Sequence, residues 1–170
     1  EIGEKVPQIQ RNKVLRYVKL LPKPMLIYSI RPEDAENWYK FLEDNGITNT
    51  ALFTGLTEDA ERSRIIQDWS EDKIDIVCAT SAFGMGIDKS NVRLTVHLNH
   101  PSSLESFVQE AGRAGRDGKM ALATIMYADK QFQNQNIKTR LMEWHSADYE
   151  VNKFFYDANF LGEYFELYVM

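Results

Sequence analysis

Five short apolar runs recur along this chain of 170 residues, separated by stretches of helical period. The runs are 25–30 (MLIYSI), 50–53 (TALF), 74–79 (IDIVCA), 92–98 (VRLTVHL) and 120–127 (MALATIMY). Nearly continuous apolar runs of this length suit strands buried on both faces. The segments between several of them are long enough for helices of about 10 to 15 residues. That alternation predicts βαβ units, and so an α/β fold with a parallel sheet flanked by helices. In such sheets ligands gather beyond the carboxyl ends of the strands.

Local signals place the helices. Ile9, Val14, Leu15, Val18 and Leu21 follow helical spacing until Pro22 and Pro24 break the chain. Pro32 fits the first turn of a second helix, where Glu33 and Asp34 suit the dipole, and Gly46 stops it after about Asn45. Thr57 is placed to cap a third helix, with Glu58, Asp59 and Glu61 in its first turn and an end near Trp69. Ser102 and Glu105 form a capping box that opens a fourth helix toward residues 109–118.

A hydrophobic share of 44% fits a globular chain, and a net charge of -5 argues against a surface coated for indiscriminate nucleic-acid binding. A local basic site stays possible on such a chain. The single cysteine, Cys78, lies within the third apolar run and reads as a small buried hydrophobe. One cysteine excludes a disulfide or a cysteine-built zinc site within the chain. No apolar run nears the ~20 residues of a membrane span, and the N-terminus EIGEKVPQIQ lacks a signal pattern. Both ends read as cut, so the chain is expected to be part of a longer protein. After Asp129 the character changes: 130–146 is polar, and 149–170 holds Tyr149, Phe154, Phe155, Tyr156, Phe160, Tyr164, Phe165 and Tyr168. The expected division is a domain over 1–128 and a helical, aromatic-rich extension over 129–170.

Two segments carry chemistry. In ATSAFGMGIDK, residues 79–89, a buried strand opens into a loop. Gly84 and Gly86 permit close backbone approach, Thr80 and Ser81 offer hydroxyls to a phosphate, and Asp88 could accept from a ribose hydroxyl. A plain connecting loop with a solvated carboxylate reads equally well. In QEAGRAGRDG, residues 109–118, each arginine follows a glycine. If the fourth helix continues through it, Arg113 and Arg116 share a face, and their repulsion calls for an anion between them. Two guanidinium forks suit the spread charge of a transferring phosphoryl group. No GxxxxGK[ST] phosphate loop and no acidic box for magnesium accompany them. The chain has arginines for a nucleotide without the site that binds one, which suggests half of an ATPase.

These two segments resemble motifs V and VI of superfamily 2 helicases, in their RecQ family wording. VRLTVHLNHPSSLESFVQEAGRAGRDG is similar to RecQ sequences nearly throughout, and MLIYSI resembles motif IV. ALFTGL resembles the family's YHAGL segment, with Phe53 in place of its His. The resemblance covers about residues 24–128. It implies a RecA-like three-layer domain, the second motor domain of an ATP-dependent DNA helicase, active only with a preceding RecA-like domain that binds ATP and Mg2+. On matching positions it implies Arg116 and Arg113 at the phosphates, with Arg116 the leading finger, and Gln109 near the phosphates or attacking water. Gly86 and Asp88 would face the nucleotide, and Thr80 and Ser81 the backbone of DNA at a single-strand/duplex junction. Arg31 would join them, although Ile30 separates it from Ser29 where the family has an adjacent Ser-Arg pair. The family's four-cysteine zinc module has no counterpart in 129–170, so no zinc is expected in this chain. A cytoplasmic protein without membrane contact is implied. The alternatives are an RNA helicase or translocase motor, and a non-enzymatic RecA-like binding module.

Overall fold

The computed structural model describes residues 8–84, 87–99, 104–128 and 164–169. Its elements are α1 (Gln8–Leu20), β1 (Met25–Tyr28), α2 (Pro32–Asp44), β2 (Thr50–Phe53), α3 (Asp59–Ser70), β3 (Ile76–Ala79), β4 (Leu94–His97), α4 (Leu104–Ala111), β5 (Leu122–Ala128) and β6 (Tyr164–Val169). One sheet runs β2-β3-β1-β4-β5-β6. The first five strands are parallel, and β6 pairs antiparallel with β5.

The continuous apolar runs have their cause in this layering. Every residue of β1, β3 and β4 is buried, because helices cover both faces. On one face Val14 and Val18 of α1 and Trp38 and Leu42 of α2 pack on Met25, Ile27, Ile76, Cys78, Leu94 and Val96. On the other, Ile65 and Trp69 of α3 pack on Leu26, Ala51, Phe53, Val77 and Ala79. Burying each large side chain stabilises the fold by about 1.5–3 kcal/mol.

The boundaries follow chain chemistry, with three corrections. Pro32 does open α2, and Gly46 ends it with a φ of +79°. Thr57 does not cap α3: Glu58 holds the cap position without a side-chain hydrogen bond, and the Thr57 hydroxyl accepts from the Thr54 N–H at 2.9 Å. It closes the turn before the helix instead. The fourth helix stops at Ala111 and does not pass through the arginines. The last correction concerns the expected helical extension: residues 164–169 form a strand, since β5 offers them an unpaired edge. Ser102 and residues 129–163 lie outside the described residues.

Candidate functional site where two loops meet

β3 ends at Ala79, and the chain from Thr80 onward crosses the α3 face before entering β4. Phe83, Ile87 and Val92 are buried there with Trp69 and Ile65. The arginine segment lies alongside this crossing. The Gly115 N–H donates to the Val92 carbonyl at 3.0 Å and the Asp117 N–H to that of Ser90 at 3.1 Å. Arg93 adds an ion pair to Asp117 and a hydrogen bond to the Met120 carbonyl at 3.1 Å. Only the first of the two segments therefore starts at the carboxyl edge of the sheet; the second docks on it.

The arginines do not share a helical face. Three turn hydrogen bonds follow α4, from Gly112 to Val108, Arg113 to Glu110 and Ala114 to Ala111. Gly115 then takes a φ of +70°, which L side chains rarely adopt, and the chain reverses. This turn sends the two side chains apart. Arg113 goes inward, where a Cβ built on Gly84 would sit 2.1 Å from one guanidinium nitrogen and 2.7 Å from its central carbon. Gly84 thus makes room for an arginine of the same chain. The buried Tyr28 hydroxyl donates to the Phe83 carbonyl at 3.4 Å, and the Arg113 Nε has no partner among the described residues. Burial pushes the Tyr28 phenol up, and the Arg113 charge opposes that shift.

Arg116 goes outward. Its Nε donates to the Gly112 carbonyl at 3.1 Å and a terminal nitrogen to Asp88 at 3.2 Å. The side chain of Asp88 is 86% exposed and that of Arg116 42%. The geometry thus brings Asp88 and Arg116 together, with Arg113 behind them. Gln109 is exposed on α4 and donates to Glu105 at 3.2 Å. Gly86 lies outside the described residues.

The nucleic-acid candidates sit at strand ends. Thr80 is buried just after β3, and Ser81 is exposed beside it. Arg31 is exposed and held by Asp34 through hydrogen bonds of 2.9 and 3.0 Å. Between the ends of β3, β1 and β4 opens a cleft of about 60 Å3, lined by Tyr28, Ser29, Ser81, His97, Asn99 and Glu110 among others. The buried Ser29 hydroxyl has no partner among the described residues. His97 stacks on Tyr28 at 5.2 Å, with Nε2 3.0 Å from the Glu110 carboxylate and Nδ1 3.3 Å from the Thr124 carbonyl. Both ring nitrogens face acceptors, which couples α4 to β4 and β5. Ser29, His97 and Glu110 escape a reading by motif. For Ser29 and His97 the signal in the sequence is a polar residue at the carboxyl end of an apolar strand; Glu110 lies in α4 and carries no such signal.

The model of the helicase conserved C-terminal domain matches residues 7–118, two-thirds of the chain and all of the site above. The chain belongs to this family. Its relatives make this helicase C-terminal domain RecQ-like. It is 43% identical over 105 residues to the ATP-dependent DNA helicase RecQ of Haemophilus influenzae, covering 62% of the chain and 17% of that protein. It is 42% identical over 102 residues to a putative ATP-dependent DNA helicase Q1 of Caenorhabditis elegans, covering 60% of the chain and 16% of that protein. With the probable ATP-dependent DNA helicase RecS of Bacillus subtilis it shares 32% over 124 residues, covering 73% and 25%. The chain thus spans a quarter or less of the length of these curated relatives. Among solved structures, the yeast DEAD-box splicing factor Prp28 superposes with a TM-score of 0.67 at 17% identity, covering 87% of the chain and 34% of that one. The E. coli DEAD-box protein SrmB, bound to a regulator of ribonuclease activity, gives 0.62 at 20%, covering 68% of each. These superpositions establish a RecA-like fold. No helix among the described residues is long and apolar enough to cross a membrane.

Proposed function

We propose that this domain is the second motor domain of an ATP-dependent DNA helicase, completing the site of ATP bound on a preceding RecA-like domain. The observation that carries the reading is the exposed Asp88–Arg116 pair, in which a ribose acceptor and a phosphate cation neutralise each other at 3.2 Å. Exposed pairs contribute only about 0–1 kcal/mol, so an arriving nucleotide separates them at small cost. Arg116 then turns to the phosphates and stabilises charge that builds in the transition state, while Asp88 is freed to accept from a ribose hydroxyl.

Arg113 sits behind the finger and adds its positive charge from a fixed position. Gln109, on the exposed face of α4, reaches toward the phosphates or the attacking water once the cleft closes. Mg2+ comes with the nucleotide on the preceding domain. Among the described residues no group of three His, Cys, Asp or Glu could hold a metal. Gly86 belongs with the nucleotide side of the same loop.

Thr80 and Ser81, joined by Ser29 in the neighbouring cleft, contact the phosphates of the tracked strand, so DNA is held with little sequence preference. Arg31 contributes only if its pair with Asp34 opens. ATP closes the cleft, and loss of the γ-phosphate reopens it. The protein works in the cytoplasm or on nucleoid DNA.

The reading is tested with the full-length protein. Arg116→Ala should nearly abolish ATP turnover while DNA affinity in a filter-binding titration stays within a factor of a few. Turnover that survives the substitution would overturn the finger assignment. This chain alone should show no ATPase activity, and robust turnover would sink the half-site argument.

A further inference from the structure

Beside the exposed Asp88 lies a buried ammonium group. The Lys89 side chain is 5% exposed, although lysine is almost never buried unless paired. Its Nζ donates to the Trp69 carbonyl at 2.6 Å and to Asp72 at 2.6 Å, and it lies 5.2 Å from the centre of the Trp69 ring. A cation at this point suits the negative end of the α3 dipole, and the Trp69 carbonyl accepts from it as well as from the Asp72 N–H at 3.3 Å. Asp72 takes a left-handed φ of 59° and also accepts from Asn91 at 3.3 Å. Its carboxyl is held below the ordinary value, first by the Lys89 hydrogen bond and then by that of Asn91. Both ends of the loop segment 89–91 are therefore tied to the turn after α3.

The same segment carries the candidate nucleotide residue. Ile87 and Lys89 are buried, and Asp88 between them is exposed. Alternate residues of an extended chain point to opposite sides. Two inward pegs, one apolar and one ionic, thus present the Asp88 carboxylate outward, where it meets Arg116.

We infer that Lys89 is a positioning residue of the nucleotide site, fixing Asp88 opposite Arg116 by anchoring the loop to the carboxyl end of α3. This rests on the function proposed above. A buried lysine that merely stabilised the fold would affect folding and leave the behaviour of Arg116 independent.

The test is a double-mutant cycle on steady-state ATP turnover of the full-length protein, normalised to the folded fraction from urea titration. Lys89→Met should lower turnover by about 10- to 100-fold, the scale set by a misplacement of about 1 Å. In an Arg116→Ala background the same change should cost less than about 2-fold, because residues acting as a unit are non-additive. Equal losses in both backgrounds would make the role structural and overturn the inference. Turnover lost in Asp88→Ala and Arg116→Ala but kept in Lys89→Met would overturn this inference alone and leave the proposed function standing. Turnover kept in Arg116→Ala would overturn both. If Lys89→Met does not fold, Asp72→Asn removes the charge partner, tolerates the left-handed backbone and keeps the Trp69 contact. It should lower turnover about 3-fold, and an unchanged rate would reject the anchor.

Discussion

Arg113 and Arg116 leave the same turn and end in opposite surroundings. Arg113 is wedged against Gly84 and Tyr28, whereas Arg116 is held on the surface by Asp88 and its own backbone. Asp88 and Lys89 repeat the contrast one residue apart, the first exposed and the second buried against α3. The difference teaches how one domain can hold a site in register and still release it. Groups surrounded by protein keep their geometry, because packing confines Arg113 and moving Lys89 would leave a buried charge unpaired. Groups paired in water exchange partners readily, because such pairs contribute so little.

Predictions follow from the contrast: the exposed half should govern turnover directly, and the buried half should act through stability and the placement of the exposed groups. The largest effect is expected on turnover, where Arg116→Ala should remove about 10³-fold or more, on the scale of an arginine finger, with an unchanged urea midpoint. A shifted midpoint would place Arg116 with the buried half. Next, Gly115→Ala should destabilise the domain by about 1–2 kcal/mol, since its φ is +70° and its Cβ would lie 3.0 Å from the Lys119 carbonyl. Chemical denaturation measures this directly. Gly84→Ala should cost about 1 kcal/mol, because the flexible end of Arg113 must move aside. In an Arg113→Ala background that cost should largely vanish, and a cost that persists would show that Gly84 is needed for something other than the guanidinium.

Two smaller effects complete the series. Asp72 has a depressed folded-state carboxyl value, so its contribution is present above the ordinary carboxylate range and is lost as pH falls below about 4 and through the folded value. Acid unfolding of Asp72→Asn should show a weaker pH dependence there than the unsubstituted chain. Asp88→Asn should change stability by less than about 0.5 kcal/mol, as expected for an exposed pair. A larger loss by calorimetry would mean that the pair is not free to exchange.

Much of the architecture was legible in the sequence. The run TALF is β2 as read, and the all-apolar runs at 25–28 and 76–79 lie inside the strands predicted for them. They were legible because burial on both faces leaves no polar alternation to misread. The fourth helix was overextended because residues 109–111 continue its period, and nothing local shows that Gly115 must reverse the chain. The strand at 164–169 was hidden by aromatic residues that suit helix packing and strand pairing alike, and only an open edge on β5 separates the two.

For the site, the sequence by itself determined the residue types: two arginines after glycines, a carboxylate beyond a glycine-rich loop, and no phosphate loop. These are local facts of composition and spacing, and the half-site proposal starts from them. Only the tertiary structure decided which arginine is exposed, that Gly84 makes room for Arg113, and that Lys89 is buried. Each depends on residues from 17 to 29 positions apart meeting across the α3 face. Burial and charge pairing are set by those meetings, and no local pattern encodes them.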